Sequence, residues 1–165
     1  MEGMRELAES IVCELKKRNY TITTAESCTG GLLVATLLQV SGASSVLNES
    51  YVTYSNDAKQ KLLHVKDETL MNYGAVSMET AKEMAIGVAK AAKADVALST
   101  TGIAGPTGGT KEKPVGLVYI GCYVKGNTNA LECRFTGNRD ENRWETVRCA
   151  LEYTLEMLSI ITKDM

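Results

Sequence analysis

The sequence has 165 residues, 44% apolar and 23% charged, with 18 Lys and Arg against 20 Asp and Glu. That size suits one domain burying roughly two-thirds of its unfolded surface, and the near-neutral charge excludes the basic excess of a nucleic-acid binder. Met1 to Arg18 is charged throughout, unlike a signal peptide, and no apolar run reaches the length of a membrane span, so a cytoplasmic protein with no nucleic-acid or membrane partner is expected.

Met4, Leu7, Ala8, Ile11, Val12 and Leu15 recur at helical spacing and predict an amphipathic helix over about 3–18. Thr21 to Ala25 is rich in β-branched residues and suits a strand. A polar turn at Glu26 to Gly31 leads into an apolar helix, Leu32 to Val40, expected to be buried on most sides. Leu47 to Ser55 reads as a second strand, with short helices at Asn56 to Leu63 and Lys66 to Tyr73. Ser77 suits the cap of a helix whose core face is Met78, Ala81, Ala85, Val88, Ala89 and Ala92. Asp95 to Thr101 is a third strand, and Gly102 to Lys113 a loop. Val115 to Val124 and Leu131 to Thr136 resemble a hairpin turning at Lys125 to Asn129. A last helix, Arg139 to Ile161, carries Trp144, Val147, Leu151, Leu155 and Leu158 on one stripe. Alternating helices and strands with a terminal hairpin predict an α/β fold: a single three-layer domain over residues 1–165, its mixed β-sheet flanked by helices.

Three segments look too specialised for scaffold. In Thr24-Ala25-Glu26-Ser27-Cys28-Thr29-Gly30-Gly31, a serine at a strand-to-helix turn would expose its hydroxyl while following N–H groups stay free for an oxyanion. The same pattern also fits Ser27 or Thr29 simply capping the helix. In Tyr51 to Lys59, Tyr54 and Lys59 can meet over one cleft, and a lysine of lowered pKa can activate a serine where no histidine is placed to do so. A surface lysine and a core tyrosine explain that spacing equally well. Ser99 to Thr110 is glycine-rich and follows a strand, as a loop that brings backbone close to a ligand would, or as a plain flexible turn. It matches neither the P-loop nor GxGxxG. The five cysteines are scattered without a CxxC pair, so a zinc site is not expected.

Together TTAESCTGGLL, SYVTYSNDAK, YGAVS and TGIAGPTGGT running into KPVGLVYIG resemble the CinA C-terminal domain family, the nicotinamide-nucleotide amidases, in order and over nearly the whole chain. The resemblance implies hydrolysis of the carboxamide of nicotinamide mononucleotide to nicotinate mononucleotide and ammonia, by a Ser/Lys mechanism without metal or cofactor. It implies Ser27 as nucleophile, Lys59 as general base and Tyr54 as its helper. Asn56, Thr101, Gly102, Ile103, Ala104 and Gly105 would line the nucleotide site, and Cys28, Thr29, Gly30 and Gly31 would serve the oxyanion or the phosphate. Arg139, in a segment similar to the family's Gly-Asp-Arg, is the candidate phosphate clamp, although Asn138 stands where an acidic residue is common. Cys28 is a rival nucleophile with no histidine to pair with it. Many relatives carry a further N-terminal domain similar to molybdopterin-binding proteins; the sequence has no counterpart, so pyrophosphatase activity is not expected. A homo-oligomer is expected, the C-terminal helix contributing.

Overall fold

A computed structural model describes residues 2–163; residues 1, 164 and 165 of the expected domain lie outside the described residues. The chain runs α1 (Glu2–Arg18), β1 (Ile22–Glu26), α2 (Leu32–Leu38), a 3-10 turn (Ala43–Ser45), β2 (Tyr51–Val52), α3 (Asn56–Leu63), α4 (Asp67–Tyr73), α5 (Met78–Ala92), β3 (Val96–Gly102), β4 (Leu117–Val124), β5 (Asn127–Arg134) and α6 (Arg139–Lys163). The five strands form one mixed sheet in the order β2-β1-β3-β4-β5. β1 is parallel to β2 and β3, while β3, β4 and β5 alternate in direction. Among the described residues no helix is long and apolar enough to cross a membrane.

The sheet separates two apolar layers, giving the three-layer α/β arrangement. On one face Ala8, Ile11 and Leu15 of α1, Leu33 and Leu37 of α2, and Val147, Leu151 and Leu158 of α6 pack on Ile22, Leu98 and Ile120. On the other, Leu63 of α3, Leu70 of α4 and Met84 and Val88 of α5 pack on Ala25 and Ala97. Strand residues alternate between faces, so Glu26 points under α2 while Ser27, one residue on, turns toward α3. The active segment is organised by this parity.

Gly87 sets how closely α3 lies on α5: a Cβ there would sit 1.9 Å from the Leu63 carbonyl oxygen. Ser77 caps α5 by accepting from the Thr80 amide, as its position predicts, and Ser55 caps α3 through the Ala58 amide.

Four expectations need correction. The strand expected over Leu47 to Ser55 shrinks to Tyr51–Val52, because residues before it meet β1 through other bonds: Thr23 Oγ1 donates to the Glu49 carbonyl and the Thr24 amide donates to Ser50 Oγ. α2 is amphipathic rather than buried on most sides, with Leu38 exposed. The hairpin turns at Lys125 and Gly126 alone, both at positive φ, so Val124 pairs with Asn127 and β5 begins four residues early. Gly102 completes β3 and does not open the loop.

Candidate active site

The end of β1 and the start of α2 build the first wall. Gly31 stands at the cap position before α2 and supplies no side-chain hydrogen bond. Glu26, fully buried, reaches up from the strand instead. Its Oε2 accepts from the amides of Gly31 (2.9 Å) and Leu33 (3.0 Å) and from Thr29 Oγ1 (2.6 Å). Its Oε1 accepts from the Val34 amide (2.8 Å) and Thr24 Oγ1 (3.3 Å). Carboxylate and helix N-terminus satisfy each other. Neither Ser27 nor Thr29 caps the helix, as one reading of the turn allowed. Thr29 is fully buried, its hydroxyl held between Glu26 and Thr100 Oγ1 (2.7 Å), so it faces the interior and not a ligand. The Gly31 amide is likewise committed to Glu26.

Ser27 sits at the edge of the interior, its amide donating to the Thr100 carbonyl. Lys59, from the first turns of α3, is 1% exposed, and its Nζ lies 3.1 Å from Ser27 Oγ. The same nitrogen donates to the carbonyls of Thr53 (2.9 Å) and Tyr54 (3.3 Å). Burial lowers its pKa to about 8. Two carbonyls can only accept, so a neutral amine spends both its N–H bonds on them and keeps its lone pair for the Ser27 hydroxyl. The rival Cys28 is buried, and burial pushes its thiol up to about 12, so it is not a thiolate near neutral pH.

Tyr54 approaches Lys59 through its backbone carbonyl only. Tyr54 is 65% exposed and its hydroxyl accepts from Arg139 Nη2 at 3.4 Å, so the hydroxyl is directed to the arginine and not to the lysine. Arg139 Nη1 donates to the Gly105 carbonyl (2.8 Å), and the residue lines a cleft of about 560 Å³ with Ala104, Pro106, Val115, Gly137, Asn138 and Asp140. Asn138 is the cap of α6, its Oδ1 accepting from the amides of Asp140 and Glu141 while Glu141 Oε2 accepts from the Asn138 amide. That reciprocal cap fixes the start of the helix carrying Arg139.

The glycine-rich loop is positioned by ties to its neighbours. Thr101 is buried with its hydroxyl on the Ala75 carbonyl, and Ile103 exchanges backbone bonds with Leu117 and Gly116. A Cβ on Gly102 would lie 2.5 Å from Val118 Cγ2, so its smallness serves the β3–β4 contact. Buried Asn142, which sequence reasoning passed over, donates from Nδ2 to the Ala104 carbonyl (3.0 Å) and accepts from the Gly137 amide (3.0 Å). Asn56, on the first turn of α3, is exposed at the rim. Among the described residues no group of three or more His, Cys, Asp and Glu side chains converges as a metal site would.

The family model of the CinA C-terminal domain matches residues 4–158. The chain belongs to the CinA C-terminal domain family. A CinA-like protein of Kosmotoga olearia is 51% identical over 156 residues, covering 94% of this chain and 38% of that protein. The chain spans less than two-fifths of the curated relatives it matches. The crystal structure of the competence/damage inducible protein CihA from Agrobacterium tumefaciens superposes with a TM-score of 0.91 at 44% identity, covering 94% of this chain and 95% of that one. A CinA superfamily protein from Klebsiella pneumoniae gives 0.91 at 35% identity, covering 94% and 98%. This CinA-type domain thus shares its single α/β fold with solved members across its length.

Proposed function

We propose that this CinA-type domain hydrolyses the carboxamide of nicotinamide mononucleotide, releasing ammonia and nicotinate mononucleotide. The observation that carries the reading is the buried Lys59 Nζ 3.1 Å from Ser27 Oγ, with two carbonyls taking its other bonds.

Neutral Lys59 takes the Ser27 proton as Oγ attacks the carboxamide carbon. Backbone amides of the turn after Ser27 receive the oxyanion. The C–N bond then breaks; the proton now on Lys59 goes to the departing nitrogen, which leaves as ammonia. The remaining ester on Ser27 is cleaved by water, with Lys59 again as base, giving the carboxylic acid and the free serine. Tyr54 does not carry these protons, because its hydroxyl is directed to Arg139. It acts instead as a spacer, with its carbonyl on Lys59 and its hydroxyl on Arg139, linking the reacting pair to the arginine. A phosphate on Arg139 with its carboxamide at Ser27 describes a mononucleotide better than a bare pyridine amide.

The test is ammonia release with nicotinamide, its riboside and its mononucleotide as parallel substrates, with Ser27→Ala and Lys59→Ala beside the native protein. The mononucleotide alone should turn over well, and both variants should be inactive. Equal rates on all three substrates contradict the phosphate assignment, and an active Lys59→Ala contradicts the base.

A further inference from the structure

The amides around the nucleophile can be accounted for one by one. The Ser27 amide donates to Thr100, Gly31, Leu33 and Val34 donate to Glu26, and Leu32 donates to the Thr29 carbonyl. The Cys28 amide donates to its own side-chain sulfur, and the amides of Thr29 and Gly30 make no hydrogen bond to a protein acceptor among the described residues. Thr29 is buried and Gly30 exposed, and a buried backbone donor is nearly always paired, so the Thr29 amide beside a reactive serine stands ready for an acceptor that the protein does not supply.

The carbonyls of the same turn are held by one side chain. Arg143, on the first turns of α6 and 115 residues away from Cys28 in sequence, donates from Nε to the Cys28 carbonyl (3.2 Å) and from Nη2 to the Thr29 carbonyl (2.8 Å). Gly30 lies against the guanidinium, where a Cβ would be 3.4 Å from Nη2. The remaining Nη1 makes only a 3.8 Å ion pair with the exposed Asp140, too open to explain why the arginine is there. In a trans peptide the C=O and N–H point in opposite directions. Fixing the carbonyls of Cys28 and Thr29 on the guanidinium therefore fixes the N–H groups of Thr29 and Gly30 on the other side of the turn.

We propose that Arg143 is a positioning residue whose fork across the Cys28 and Thr29 carbonyls presets the Thr29 and Gly30 amides as the oxyanion hole of Ser27. The inference rests on the Ser27 acyl-transfer reading. The planar fork is essential to it: a guanidinium spans two carbonyls in a fixed geometry, and an ammonium is a point charge that does not. Arg143 touches neither substrate nor the reacting atoms; it acts through the backbone.

Arg143→Lys and Arg143→Ala test this in the full chain, with thermal unfolding to establish that each is folded. Losing the preset hole should lower kcat for ammonia release about 100-fold, the scale of removing one oxyanion donor. KM should stay put, and the pH midpoint set by Lys59 should not move. Millimolar guanidinium should restore part of the rate of Arg143→Ala. A second readout needs no substrate: a fluorophosphonate labels an activated serine with its phosphoryl oxygen in the oxyanion position, and labelling of Ser27 should slow in both variants. If the native protein labels but releases no ammonia from the mononucleotide, the substrate assignment fails, and slower labelling of Arg143→Lys still upholds the hole. Native-like kcat and labelling in Arg143→Lys, or a raised KM with kcat retained, overturns the proposal.

Discussion

Replacing Glu26 by Gln is the perturbation whose consequence is worked most directly from the geometry. The carboxylate receives three amides, Gly31 and Leu33 on Oε2 and Val34 on Oε1, which cannot turn away. A carboxamide has one oxygen, so its NH2 must face at least the Val34 amide. The Thr24 hydroxyl on the same side can rotate to accept; the backbone N–H cannot. One unpaired buried donor costs about 1–3 kcal/mol, and losing the charge at the helix N-terminus adds about 1 kcal/mol. The sum, about 2–4 kcal/mol, corresponds to a fall in Tm of roughly 5–15 °C for a domain of this size. Thermal unfolding followed by circular dichroism measures it. Because Ser27 is the next residue, kcat below the transition should fall as well. A Glu26→Gln protein whose Tm lies within about 2 °C of native, at full activity, would refute the account of how the nucleophile turn is held.

Lys59 sets the pH dependence. With its folded pKa lowered to about 8 from 10.5, kcat/KM should fall tenfold per pH unit below that midpoint and level off above it; a flat profile down to pH 5 counts against it as base. The folded state binds fewer protons than the unfolded between those two values, so stability should rise with pH through that window, and denaturant titrations at pH 8 and pH 10 read the difference. Tyr54→Phe should leave the kinetic midpoint in place, since only its carbonyl meets Lys59, and should raise KM by loosening Arg139; a shifted midpoint contradicts the spacer role. Gly87→Ala forces a Cβ to within 1.9 Å of the Leu63 carbonyl, pushing α3 and its lysine outward, so both Tm and kcat should drop. Unchanged kcat in a folded Gly87→Ala protein would show that α3 adapts without moving Lys59.

The helices were the legible part of this fold, since their apolar spacing is set by the face each one buries; Asn56 to Leu63 appears with the ends the sequence implies. The extended pieces were harder to read. The chain before β2 meets its neighbour largely through Thr and Ser side chains, a pairing that β-branched content does not reveal. The hairpin register depended on Lys125 accepting positive φ beside Gly126, where the glycine was the only signal. Around Ser27 the limits differ in kind. The contact between Ser27 and Lys59 joins residues 32 apart in sequence, and spacing alone left it open until the family's motifs were taken together. Glu26 read as the first residue of a polar turn, whereas it is the last residue of β1, where period-two alternation places it under α2, facing away from Ser27. Arg143 and Asn142 lie off the apolar stripe of the last helix, and nothing local shows that their partners are carbonyls of the nucleophile turn and of the glycine-rich loop.

The most direct test of the Ser27–Lys59 assignment is to mix the protein with nicotinamide mononucleotide, quench in acid within a turnover, and map covalent adducts by peptide mass spectrometry. An ester of nicotinate mononucleotide on the Ser27 peptide, absent from Lys59→Ala, is the predicted result. An adduct on Cys28, or steady ammonia release from Ser27→Ala, would contradict it.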